Sequence, residues 1–230
     1  MRDLEIQNQL FYFVTQSTFQ VEEKEIHDEL AAIRVLMERS SKFISLSGLS
    51  GILAGVYSLI GAGAAYLIIK NNPINNAGSF SEDLNNGLNL LTGLGATALA
   101  VLLVSIITAI VLSGRKAKKN GQSMWNKTSR LLLFNMGIPL LTGGLFILIL
   151  LYNGHGYFDL ILPAMLVFYG LALVSASNFT FTDVKYLGLL EIALGLIAAC
   201  FPGYGLLFWA FGFGVLHIVY GSMMYLKYDR

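Results

Sequence analysis

Charge is scarce in this sequence. Only 13% of its 230 residues are Asp, Glu, Lys or Arg, about half the share near 25% found in soluble domains. That shortage excludes an ordinary water-facing surface over most of the chain. A net charge of +1 excludes the broadly basic surface that nucleic acid requires, so no such partner is expected. Cysteine is scarcer still. The single Cys200 sits in an apolar run, which excludes an intramolecular disulfide and any cysteine-based metal or redox pair. The three histidines, His27, His155 and His217, share no metal-ligand spacing. Nucleophile elbows, H-E-x-x-H motifs and phosphate-cradling glycine loops are all missing. The expectation is therefore a non-enzymatic protein with no metal and no cofactor. The first 40 residues are polar and acidic, without the apolar core of a signal peptide.

What the chain has instead is apolar length. Hydrophobic residues make up 55%, and the mean hydropathy is +0.65. Crossing a bilayer takes about 17–25 apolar residues, and six runs approach that: Phe43–Ile69, Leu88–Ser113, Leu131–Tyr152, Phe158–Ala176, Tyr186–Phe201 and Leu206–Leu226. The fifth is the shortest, and "FPGYG" turns it into the sixth as a helical hairpin. The expected fold is an all-α integral membrane bundle of six spans, with the lipid bilayer as its main partner. It divides into a cytoplasmic arm (1–42), a membrane domain (43–226) and a short cytoplasmic tail (227–230).

Orientation follows from the basic residues of short loops. The stretch "SGRKAKKNGQSMWNKTSR" carries six positive charges and no acid, which places it in the cytoplasm. The opposite loops, "NNPINNAGSFSEDLNNG", "NGHGYFD" and "FPGYG", carry no Lys or Arg. Both termini then fall on the cytoplasmic side. Ahead of the first span, Ile26, Leu30, Ile33 and Met37 recur at helical spacing behind an acidic cluster, Glu22 to Glu29. This reads as an amphipathic arm, too acidic for docking on anionic lipid. Residues 1–40 suit a cytoplasmic protein partner or the protein's own loops.

A shift of 51 residues lays the third and fourth runs on the fifth and sixth without a gap. Gly137 falls on Gly188, Gly144 on Gly195, Gly154 on Gly205, and Tyr169–Gly170 on Tyr220–Gly221. Gly48 and Gly55 repeat the separation of seven, with Gly51 between them. Glycines so spaced share a helix face and let a neighbouring backbone approach. Chance likeness of Gly-rich spans and true duplication into three parallel hairpins are both compatible with this. The same faces would serve a homo-oligomer as well as packing within one chain.

Two ionisable residues lie at membrane depth. Glu191 and His217 are each thirteen residues from Tyr204 in the turn, so an antiparallel hairpin sets them at similar depth. Such residues face the protein interior and find a partner. They make a proton relay or substrate-binding pair, since imidazole titrates near neutrality, or a hydrogen bond that only fixes packing. Asn135, with the Pro139 kink and Thr142, is the second candidate, because proline frees a carbonyl that needs another donor. Laying Gly48 and Gly55 on Gly137 and Gly144 puts Gly51 on Leu140 and, through the shift, at the depth of Glu191. From this, the helix bearing Glu191 is expected to pack on the Gly48–Gly51–Gly55 face, with Ser47 or Ser50 in reach of the carboxylate.

"MERSSKFISLSGLSGILAG" resembles a block that leads into the first span of a group of bacterial multi-spanning inner-membrane proteins without an assigned activity. "YLGLLEIALGLIAACFPGYG" and "YGSMMYLK" are similar to the last two spans of HdeD-type acid-resistance membrane proteins. These likenesses imply a bacterial cytoplasmic membrane location. Two functional readings stay open. One is a protein that senses envelope conditions through its arm and a partner. The other is a small-solute or proton-linked transporter using Glu191 and His217.

Overall fold

The computed structural model describes residues 46–72, 80–121, 123–153 and 158–229. The chain divides into two compact units, Met1–Lys42 and Phe43–Arg230. The first holds the expected amphipathic arm and lies outside the described residues, as does His155.

Every element among the described residues is helical, and none is a strand. The helices are α1 (Gly48–Asn71), α2 (Phe80–Lys119), α3 (Lys127–Asn153), α4 (Phe158–Ala176), α5 (Asp183–Ala199) and α6 (Gly205–Asp229). Five of them, all but α5, are long and apolar enough to cross a membrane. The fifth expected span falls short because α5 has only 17 residues. At 1.5 Å per residue it reaches about 26 Å, and Asp183, Lys185 and Glu191 dilute its hydropathy.

Helix boundaries follow local chemistry. Asn126 and Ser129 cap α3 reciprocally: the Ser129 N–H donates to Asn126 Oδ1 at 2.8 Å, and the Asn126 N–H to Ser129 Oγ at 3.0 Å. The last turn of α2 carries Lys116, Lys118 and Lys119, whose charge suits a helix C-terminus. The chain then turns at Gly121, φ 65°. Between α5 and α6 the turn residue Gly203 has φ 86°, where a side chain would be strained.

Packing is uneven. α1 lies on α2 and on α6, α4 on α3 and α5, and α6 bridges the two groups. The last two helices share a tight turn, as expected of a hairpin, but α5 leans mainly on α4 and α6 mainly on α1. None of the most apolar stretch of α2 is buried, whereas a third of that of α4 is. The surfaces of α2 and α3 are rich in exposed Leu, Ile and Phe, as lipid-facing helices are.

The α1 glycines meet another helix, but not the one expected. A Cβ on Gly51 would lie 3.2 Å from Gly221 Cα, and one on Gly55 2.6 Å from the Gly214 carbonyl oxygen. Gly48 likewise abuts Gly221 and Tyr225. The groove therefore receives α6, the helix of His217, rather than α5. Gly188 packs against the Gly170 carbonyl, and Gly195 against that of Pro163. Their counterparts in the 51-residue shift, Gly137 and Gly144, touch nothing. In α3 it is Gly143 that makes the close contact, against Phe168. Among the described helices α3 makes extensive contact with α4 alone, and most of its described residues are exposed.

Nor does α6 end where the expected tail begins. It runs on through Lys227 to Asp229, its last residues wound as a π-helix, Tyr225–Asp229. A second π-helical segment spans Ala210–Leu216, just before His217. Such wide turns insert an extra residue into a helix and recur at functional sites.

Candidate functional site

At the centre of the bundle, α4, α5 and α6 bring three ionisable side chains together. Glu191 on α5 is wholly buried, and His217 on α6 nearly so. His217 Nδ1 lies 3.4 Å from Glu191 Oε1 and 3.1 Å from the carbonyl oxygen of Gly212. Its Nε2 lies 2.8 Å from the hydroxyl of Tyr169 on α4. A carbonyl can only accept, so Nδ1 carries a hydrogen and donates it to Gly212. In the neutral ring Nε2 then accepts from the Tyr169 O–H. Protonating the ring would reverse that bond, with Nε2–H donating to the phenol oxygen.

The local sequence explains the closeness. A Cβ at Gly212 would fall 2.5 Å from Glu191 Oε2 and 2.6 Å from Leu166 Cδ2. Only glycine admits the carboxyl there, and the π-winding of α6 carries that glycine and its carbonyl. Aromatic rings close the site. Phe213 stacks on His217 at 5.8 Å and tilts against Tyr169 at 4.8 Å, with Trp209 5.1 Å beyond it.

One property sets Glu191 apart. Neither carboxyl oxygen accepts a hydrogen bond, although both are inaccessible to solvent. An ionised carboxylate in such a place costs several kcal/mol unless a cation matches it. Two arrangements leave no uncompensated charge: neutral acid beside neutral imidazole, or carboxylate beside imidazolium. They differ in where one proton rests, on the Glu191 carboxyl or on Nε2 of the ring, since Nδ1, the nitrogen 3.4 Å from Oε1, already carries its hydrogen.

The remaining candidates lie elsewhere. Asn135 Nδ2 donates to the Leu131 carbonyl and Thr142 Oγ1 to that of Ile138, both within α3. The Pro139 region thus contributes nothing to the Glu191 cluster. Ser50 Oγ donates to the Ser47 carbonyl at 2.6 Å, and Ser47 Oγ to Asp229 Oδ2 at 3.2 Å. The expected serine bond to Glu191 is not made, because α1 faces α6. Among the described residues no three His, Cys, Asp or Glu side chains gather as a metal cage. Cys200 is exposed.

A second polar cluster, which the sequence reading missed, ties one end of the bundle. Asp229 Oδ2 accepts the Gly48 N–H at 2.9 Å as well as Ser47 Oγ–H, and Oδ1 pairs with Lys116. Lys116 also donates to the Leu46 carbonyl at 2.9 Å and lies over the Phe181 ring. Phe181 stacks on Tyr228. Nearby, Lys227 Nζ and the Tyr228 hydroxyl both donate to Asp183 Oδ2 at 2.8 Å. A carboxylate at the N-terminus of α1 also complements the helix dipole.

The five apolar helices mark a multi-pass membrane protein, and its interior holds a buried Glu–His–Tyr cluster. No protein-family model, curated protein or solved structure matches the chain.

Proposed function

We propose that this is a non-enzymatic protein of the bacterial cytoplasmic membrane that changes state when the Glu191–His217–Tyr169 cluster gains or loses a proton. In this reading all six apolar runs span the bilayer, α5 as a short span, and the two hairpins of the 51-residue shift descend from one. Both termini are cytoplasmic, and the arm, residues 1–40, passes the change to a partner protein. One observation carries it: Glu191 is buried with no hydrogen-bond donor, beside an imidazole that is anchored on both sides. A purely structural pair would gain by saturating the carboxylate. The orientation rests on the basic α2–α3 connection, which shares an end of the bundle with Lys185 and Lys227.

Proton-linked transport is the second reading, favoured by the closeness of three proton-bearing groups, Tyr169, His217 and Glu191. Against it, Asn135 and Thr142 of α3 bond within their own helix and add no polar group to the cluster.

A liposome assay separates the two. The protein is reconstituted and an internal pH dye is followed across an imposed gradient. In parallel, Trp209 emission is recorded against pH in a Trp125→Phe background. The expected result is no flux, with an emission change that disappears in Glu191→Gln and His217→Ala. Flux abolished by those substitutions would overturn the sensing reading in favour of transport. Emission indifferent to pH, without flux, would sink both.

A further inference from the structure

The end of the bundle that carries Asp229 and Asp183 also carries most of the molecule's described positive charge. Both acids are already taken, Asp229 by Lys116 and Asp183 by Lys227. Arg115, Lys118, Lys119, Lys127, Arg130 and Lys185 are all exposed at that same end. None has an ion pair, a side-chain hydrogen bond or a ring partner among the described residues. The acids among the described residues therefore leave this charge unneutralised.

The first five flank a structured connection rather than a loose one. Gly121 turns the chain, and the reciprocal Asn126–Ser129 cap fixes the start of α3. Within it Trp125 is 70% exposed, an indole at the end of two apolar helices, where membrane-interface tryptophans sit. The helices behind it show lipid-type surfaces down their length. In a bilayer matched to these apolar helices, cations at this level would fall at the depth of the lipid headgroups. Each Lys or Arg there adds attraction for anionic lipid that falls away within a Debye length.

We infer that the α2–α3 end is a binding surface for anionic phospholipid headgroups, held by Arg115, Lys118, Lys119, Lys127 and Arg130 and reported by Trp125. The ligand chemistry is a lipid phosphate, with the acyl chains lying along the bare faces of α2 and α3. The inference does not depend on the proton-responsive reading of Glu191.

The test uses full-length protein in phosphatidylcholine vesicles containing a fraction of brominated lipid, with quenching of Trp125 as the readout. Trp209 is accounted for by a Trp125→Phe control. Brominated phosphatidylglycerol is expected to quench Trp125 with a preference of order tenfold over brominated phosphatidylcholine. The preference should vanish when the five residues are changed to Gln, and shrink strongly in molar salt. It should survive in Lys70→Gln, which removes an exposed cation at the far end of α1. A variant exchanging Lys118 and Lys119 for Arg keeps the charge and should keep the preference, which separates charge from folding. Equal quenching by the two lipids would overturn the inference, as would a preference that persists in the Gln variant. Loss of the preference on adding millimolar inorganic phosphate would overturn the lipid assignment in favour of a free-anion site.

Discussion

Asp229 and Glu191 are two carboxylates almost hidden within one bundle, and their surroundings supply them in opposite ways. Asp229 takes a backbone N–H, a serine hydroxyl and a lysine ammonium. Glu191 takes no hydrogen bond at all and has only an imidazole beside it. Saturation fixes a carboxylate in one protonation state, and with it the geometry of every donor it holds. Starvation leaves the protonation state open. The first arrangement suits a fastening between α1, α2 and α6. The second suits a group whose occupancy by a proton is meant to change.

The sharpest way to break this contrast is to neutralise each acid in turn. Asp229→Asn strands Lys116 and disturbs the cap on α1, and should cost about 3 kcal/mol of unfolding free energy. Glu191→Gln replaces a carboxyl that no donor saturates, and should shift stability by less than about 1 kcal/mol. Denaturant unfolding in detergent measures both; equal losses would show that the two sites do the same job.

A second comparison tests whether stability resides on the Asp229 side of the bundle. A Cβ at Gly221 would meet Ile52 N at 2.5 Å and the Gly48 carbonyl at 2.8 Å, so Gly221→Ala must part α1 from α6. A loss of about 2 kcal/mol is expected. Gly144→Ala meets open space and should be neutral, or stabilising by up to about 1 kcal/mol through helix propensity. If both changes destabilise alike, the outward face of α3 is covered by something other than lipid.

The smallest effect concerns pH. Donation from Lys227, opposed by burial and helped by Tyr228, holds the Asp183 carboxyl below its usual value. A lowered folded-state pKa means the pair's contribution is complete above the ordinary aspartate range. It is lost as the pH falls through the lowered value. Asp183→Asn should flatten this acid limb by under about 1 kcal/mol, since Lys227 is well exposed to solvent. Acid unfolding curves of the two proteins should otherwise coincide.

The helical spans were legible because apolar length is a local property, as was the close approach at Gly48, Gly51 and Gly55. Equal distances from the Tyr204 turn were enough to put Glu191 and His217 at one depth. Which helix a face meets is not local. The glycines of α1 announced a close neighbour, but α6 rather than α5 fills the groove, and the serines followed. Tyr169 was visible only as a term in the repeat, because nothing in the sequence aims its hydroxyl at His217. Asp229 looked like part of a polar tail, since its donors lie 113 to 182 positions away. The π-winding of α6 around Gly212, where Glu191 packs, has no counterpart in the sequence's periodicity.

The bridging position of α6 has a consequence for how the protein is made. Without it, the α1–α2 pair and the α3–α4–α5 group have no extensive helix contact between them. As the last of the described helices to emerge during synthesis, α6 delivers the partners of both groups in one insertion. Before that moment Glu191 lacks His217, and the start of α1 waits for Asp229. The bundle is therefore completed by a single late docking step, and a chain stalled before α6 would present two half-assemblies with an orphan acid to the quality-control machinery.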